Sequence, residues 1–270
     1  MKLLTCILTE NQCYKANRTI TPKGVMVHST GANNPNLKRY VQPVDSTPDR
    51  DGLLKQLGVN ANANDWNHTD REACVHAFIG KLADGSVAAC QTLPWNWRGW
   101  HAGTGTSGSS ANNTHISFEI CEDGLTDETY FGKVYREAVE LTAYLCRQYA
   151  LDPLADGVVI CHQEGWRRGV ASNHSDVLNW FPRMGKSMDD FRSDVAAELA
   201  PKPEVKPEPE PEQEDGMNYY QTLDEVPEYY RPTVEKLVED GALKGADNGL
   251  NVSEDFCRVM TVLDRLGKLD

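Results

Sequence analysis

The chain is 270 residues long and carries 27 Lys and Arg against 40 Asp and Glu, a formal net charge of −13. That balance argues against nucleic acid as a partner, because phosphate binding needs clustered cations, and against simple electrostatic attraction to an anionic surface. No run approaches the roughly 20 apolar residues needed to span a bilayer, so no membrane insertion is expected, and the length suits one large domain with a small appendage.

The N-terminus, Met1-Lys2-Leu3-Leu4-Thr5-Cys6-Ile7-Leu8, begins like a signal peptide, but Thr9-Glu10-Asn11-Gln12 ends the apolar run too early. Synthesis in the cytoplasm without a signal peptide is therefore expected. The eight cysteines lack paired CxxC spacing and, without an export signal, read as free thiols rather than a disulfide framework. Gly24-Val25-Met26-Val27-His28 reads as a buried strand ending in a histidine. Residues 75–79 and 86–90, separated by Asp84-Gly85, read as a hairpin. Residues 115–120 and 158–162 are two further strands, and between them Val134, Ala138, Leu141 and Leu145 recur at helical spacing, the mark of a helix covering a sheet. The prediction is an α/β domain over residues 1–199, with a mixed central β-sheet flanked by helices.

Alternating Pro and Glu mark residues 200–216 as an extended linker. Residues 217–270 then form a small, mainly helical module. One helix is expected over 227–240, with Val234, Leu237 and Val238 on one stripe and Gly241 past its end. A second follows Ser253 as N-cap, with Phe256, Val259, Met260, Leu263 and Leu266 as its apolar face. So few residues make a marginal core, which points to docking, to a homodimer through this module, or to short added strands.

His28 and His162 each end an apolar strand, where packing does not call for imidazole. Either alone is as well explained by a histidine bonded to a backbone carbonyl; the pair is more suggestive. Asp176, in Asn173-His174-Ser175-Asp176, adds a carboxylate, and two histidines with one carboxylate form a known catalytic zinc set.

Five motifs then occur in order over about residues 20–195: Met26-Val27-His28-Ser29-Thr30-Gly31, Val75-His76-Ala77-Phe78-Ile79, Gly99-Trp100-His101-Ala102-Gly103, Ile116-Ser117-Phe118-Glu119-Ile120-Cys121 and Ile160-Cys161-His162. Together they resemble the zinc-dependent N-acetylmuramoyl-L-alanine amidase family, which also contains peptidoglycan recognition proteins. The resemblance implies one catalytic Zn2+ held by His28, His162 and Asp176. The family's usual lysine two residues before the last ligand is replaced here by His174. Two assignments stay open: Asp176 as the ligand, which its family position favours, or His174 as ligand with Asp176 behind it. Glu119 and His174 take catalytic roles by the same resemblance, Glu119 receiving a proton from water and His174 stabilising an oxyanion. Without it, strand alternation leaves Glu119 as an ordinary solvent-facing residue. His76, Trp100 and His101 are expected to line the substrate site. Trp95 and Trp97 suit a core role equally well, and His68 should face solvent.

The implied activity is hydrolysis of the amide bond between N-acetylmuramic acid and L-alanine in bacterial peptidoglycan by a zinc-activated water. The implied setting is a phage or prophage endolysin, made in the cytoplasm and acting at the bacterial cell wall after release. A bacterial autolysin and a non-catalytic peptidoglycan-recognition module are the alternatives, and retention of His28, His162 and Asp176 favours catalysis. The C-terminal module faintly resembles wall-attached S-layer homology units, which would make it a wall-binding element.

Overall fold

The computed structural model describes residues 1–106, 108–200, 218–245 and 249–269. The linker expected at 200–216 lies, beyond residue 200, outside the described residues. The chain divides into two compact units, Met1–Lys202 and Pro203–Asp270. Among the described residues, no helix is long and apolar enough to cross a membrane.

The first unit is an α/β layer structure built on one six-stranded mixed sheet. Its strands are β1 (Leu3–Thr5), β2 (Gly24–Ser29), β3 (Ala77–Lys81), β4 (Val87–Gln91), β5 (His115–Ile120) and β6 (Val159–Cys161), in the order β1-β4-β3-β5-β2-β6. The β3–β4 pair is the antiparallel hairpin expected around Asp84-Gly85, and every other pair is parallel. β2 is buried along its whole length, which explains its unbroken apolar run. Gly24 opens it because a Cβ there would stand 2.3 Å from the carbonyl oxygen of Val158, the residue just before β6.

Alternation along the strands divides the sheet into two faces. Val25, Val27, Ala77, Ile79, Ile116, Phe118, Ile120, Val159 and Cys161 face one way, into a core closed by α3 (Glu128–Tyr149) and α5 (Met188–Leu199). α3 starts at Asp127, whose carboxylate accepts from the Tyr130 N–H, and stops at Ala150 in the left-handed region at φ 52°. Its buried stripe contains Val134, Ala138, Leu141 and Leu145, the four the sequence spacing predicts, and is extended by Tyr130. The opposite face carries Met26, Phe78, Ala88, Cys90 and Ile160. They pack in two smaller clusters, one reaching α2 (Arg50–Leu57) through Leu53 and Leu57. The candidate site residues His28 and Glu119 project from this second face.

Cysteine chemistry differs from the expectation in one pair. Cys13, on the short helix α1 (Gln12–Ala16), forms a disulfide with Cys74, 61 residues away. No spacing signal announces a bond that tertiary proximity creates. Cys6, Cys90, Cys121, Cys146, Cys161 and Cys257 are free and buried, as expected.

In the second unit β7 (Tyr219–Tyr220) pairs antiparallel with β8 (Val252–Ser253), beside helices α6 (Arg231–Glu239) and α7 (Glu254–Arg265). α6 begins four residues later than expected, because Pro227 belongs to the preceding turn, where its carbonyl accepts from Tyr230. Ser253 caps α7 as predicted, its side chain accepting from the Phe256 N–H. The inward face of α7 is the expected one only in part. Phe256 packs, partly buried, against the cluster of Val226, Tyr230, Val234, Val252 and Cys257, while Val259 and Leu266 are exposed.

Candidate functional site

The site forms where the second sheet face meets the C-terminal ends of β2, β5 and β6. In the parallel β2–β5 pair, His28 stands opposite Glu119, so both side chains leave the sheet on the side away from α3. His162 follows β6 directly and is the first residue of α4 (His162–Arg167). Asp176 opens a single 3-10 turn over Asp176–Asn179 with φ at 45°. A non-glycine residue in this left-handed region costs of order 1 kcal/mol, and Asp tolerates it better than most. Here it carries the carboxylate to the two imidazoles.

His28, His162 and Asp176 each offer one ligand atom, and these atoms lie within 4.8 Å of one another. The Nδ1 of His28 is 2.7 Å from Asp176 Oδ2 and 3.1 Å from the Nδ1 of His162, which is itself 3.3 Å from Asp176 Oδ2. Both histidines are buried. Burial drives the His28 pKa below its ordinary value, so the ring is held neutral. Two imidazoles and a carboxylate in contact are a donor set that zinc accepts readily.

Two further carboxyl groups stand beside this cluster. Glu119 is half-buried, yet its Oε2 is shut off from solvent and has no hydrogen-bond partner. Its pKa is pushed well above the ordinary value by burial first, then by the charges of Asp176 and Glu122. Glu122, also raised by burial, accepts a 2.6 Å hydrogen bond from the Ser29 hydroxyl. Among the described residues, no Lys or Arg pairs with any of the three. Carboxylates gathered without a counter-ion are costly unless a cation joins them.

The other expected site residues fall into two groups. His174 is exposed at the rim, its ring 4.6 Å from that of His162 and its Nδ1 3.1 Å from the Ser172 hydroxyl, outside the three-residue cluster. Trp100 is also exposed, with the Arg98 guanidinium 5.2 Å from its ring. His76, by contrast, has no exposed surface. Its Nε2 donates to the Trp97 carbonyl at 2.7 Å and its Nδ1 accepts from the Ser117 N–H at 3.0 Å. The substrate-lining role expected of it does not fit a side chain so enclosed. His101 is half-buried with both ring nitrogens engaged: Nδ1 is 3.1 Å from His28 Nε2, and Nε2 is 3.3 Å from the His115 carbonyl. It supports His28 rather than presenting a free edge.

Trp95 is core, and Trp97 stacks on Tyr14 at 4.9 Å. His68 is exposed at the surface beside Asp65, as expected. Sequence reasoning missed Glu122, Ser172 and Asn112. Glu122 lies three residues from Glu119 just past the strand end, a spacing with no distinctive pattern.

The family profile described as N-acetylmuramoyl-L-alanine amidase (Amidase_2) matches residues 17–178, more than half of the chain and the segment holding every residue of the site. Similar solved structures include PlyL, at 18% identity and TM-score 0.46, covering 72% of this chain and 96% of that one. The Staphylococcus aureus hydrolase AmiA in complex with its ligand is similar at 17% identity and TM-score 0.46, over 74% and 83% of the two chains. A mutant endolysin from Bacillus subtilis is similar at 21% identity and TM-score 0.46, over 72% and 99%. No curated protein sequence matches the chain significantly.

Proposed function

The chain belongs to the N-acetylmuramoyl-L-alanine amidase family and is an enzyme of that class; from this premise we propose that it cuts the amide bond between N-acetylmuramic acid and L-alanine in bacterial peptidoglycan at a zinc ion held by His28, His162 and Asp176. The observation that carries the metal assignment is the convergence of two buried imidazole nitrogens and one carboxylate oxygen within 4.8 Å, beside an unpartnered Glu119 oxygen. A bound zinc ion would supply Lewis-acid polarisation of water and of the scissile carbonyl.

The chain's own residues supply the rest. In this reading Glu119, whose Oε2 has no competing hydrogen bond, accepts a proton from the attacking water, a bound cation favouring its carboxylate form. The same oxygen returns that proton to the L-alanine nitrogen as the C–N bond breaks, so the carboxylate ends as it began. His174, at the rim, donates toward the oxygen of the carbonyl under attack while negative charge develops on it. Trp100 offers an exposed ring face to sugar or peptide. The endolysin setting belongs to this reading, with the second unit as a wall-binding or pairing module.

The test uses the full chain on peptidoglycan from several Gram-positive bacteria. New L-alanine amino termini should appear without new reducing sugar ends, vanish in chelator, return with Zn2+, and be absent in His28→Ala. Intact walls carrying tightly bound protein would overturn the hydrolase reading in favour of a recognition module. Loss of turbidity when the protein is added to whole cells tests the endolysin setting.

A further inference from the structure

We propose that His101 and Ser172 are positioning residues that fix the tautomers of His28 and His162, so that each metal-facing nitrogen presents a lone pair. The inference rests on the metal site proposed above but concerns a layer behind it. For His28 the argument starts at a backbone carbonyl, which can only accept. The His115 carbonyl lies 3.3 Å from His101 Nε2, so that nitrogen carries the hydrogen. A neutral His101 then has a lone pair on Nδ1, and His28 Nε2, 3.1 Å away, must donate to it. With its hydrogen on Nε2, neutral His28 has a lone pair on Nδ1, the atom 2.7 Å from Asp176 Oδ2. The opposite tautomer would spend that Nδ1 as a donor to Asp176 and close the site to a cation.

His162 is set in the same way by a hydroxyl. Its Nδ1 faces the cluster, while its outward Nε2 is 3.2 Å from Ser172 Oγ. Ser172 is fixed at the Ala102 carbonyl, to which its N–H donates at 2.8 Å and its Oγ approaches at 3.3 Å. Its hydroxyl donates to that carbonyl, which can only accept, and this leaves an oxygen lone pair for the His162 Nε2–H.

Both supports therefore hang on residues 101–103. That segment is clamped by Asn112, which is completely buried. The Asn112 Oδ1 accepts from the backbone N–H groups of His101 and Ala102 at 2.7 and 2.9 Å, and its Nδ2 donates to the Gly103 carbonyl at 3.0 Å. Gly103 completes the fit, because a Cβ there would meet Ser172 Oγ at 2.9 Å. One buried amide thus orients two imidazoles that are 134 residues apart in sequence. Partners of this kind orient ligand imidazoles, and their loss commonly costs about 10- to 100-fold in metal affinity.

The test measures Zn2+ affinity of the full chain by competition with a chromogenic chelator, independently of hydrolysis. His101→Ala and Ser172→Ala should each bind Zn2+ about 10- to 100-fold more weakly than the parent. His101→Asn should recover most of the loss, since its Oδ1 sits where His101 Nδ1 does and can accept from His28. Long-range 1H–15N spectra of the metal-free protein should show His28 and His162 with hydrogen on Nε2. Equal Zn2+ affinity in the parent and both alanine variants, or a His28 ring with hydrogen on Nδ1, would overturn the proposal. Failure of the parent itself to bind Zn2+ would instead overturn the metal reading on which it rests. Should His101→Ala not fold, the comparison of His101→Asn with Ser172→Ala and the tautomer spectrum still decides.

Discussion

His76 makes the protein sensitive to acid for reasons that can be worked through in numbers. Its Nδ1 accepts from one backbone N–H and its Nε2 donates to one carbonyl, so no lone pair is left for a second proton. Burial pulls its pKa from 6.5 down to about 4. The unfolded chain therefore takes up a proton near pH 6.5 that the native chain refuses until about pH 4. The stabilising contribution is fully present above pH 6.5 and is lost as the pH falls through this window. Two and a half pKa units correspond to about 3.4 kcal/mol in all, of which roughly 2 kcal/mol should be gone by pH 5. The comparison is urea unfolding of the metal-free protein, in chelator, for the parent and for His76→Gln at pH 7.5 and pH 5. His76→Gln should be less stable at pH 7.5, because the imidazole is packed, yet lose roughly 2 kcal/mol less than the parent on acidification. The depressed His28 and His115 act alike in both proteins and cancel, and His101 is depressed by burial first, which the substitution leaves in place. Parallel pH dependences would refute the reasoning.

Three further outcomes follow from the geometry. Glu119→Gln should lower the hydrolysis rate by at least about 100-fold while leaving Zn2+ bound, and the metal-free variant should melt higher than the parent, since a buried carboxyl beside two others is gone; equal melting temperatures would contradict the electrostatic account. Tyr130→Phe removes the 2.7 Å hydrogen bond from the phenol to the Cys121 carbonyl and should cost about 1–2 kcal/mol in urea unfolding, without changing Zn2+ affinity. The Cys13–Cys74 bond closes a long loop, and the chain-entropy relation puts its contribution at roughly 4 kcal/mol, so reductant should lower the melting temperature and thiol titration of the denatured, unreduced protein should find six groups.

What the amino-acid pattern reveals depends on whether local spacing or tertiary contact decides the outcome. β2 and β5 were readable because strands buried in a parallel sheet leave a run such as Val25-Met26-Val27, and α3 because its stripe repeats over 22 residues. β1 has only three residues and exists because β4 lies alongside, pairing Leu3 with Ala89. Periodicity cannot signal so short an edge. His28, His162 and Asp176 were picked out by position and motif, and Glu119 by the motif against the local pattern. The motif alone does not reveal that the His76 ring is enclosed, a hydrogen-bonded strut between Ser117 and Trp97. The α7 face is legible only in part, because five apolar positions do not reveal that Phe256 meets the Val226 and Tyr230 cluster while Val259 and Leu266 stay exposed.

The alternation that puts Phe118 into the α3 core and Glu119 beside His28 also makes the site a gauge of strand alignment. A slip of one residue between β5 and β2 would send the glutamate into the oil of the helical face and a phenyl ring into the histidine cluster. The cluster further needs β6 delivered and the turn at Asp176 formed, 148 residues from His28. The meeting of His28, His162 and Asp176 therefore reports completed assembly, because a chain paired out of step would not bring the three side chains together.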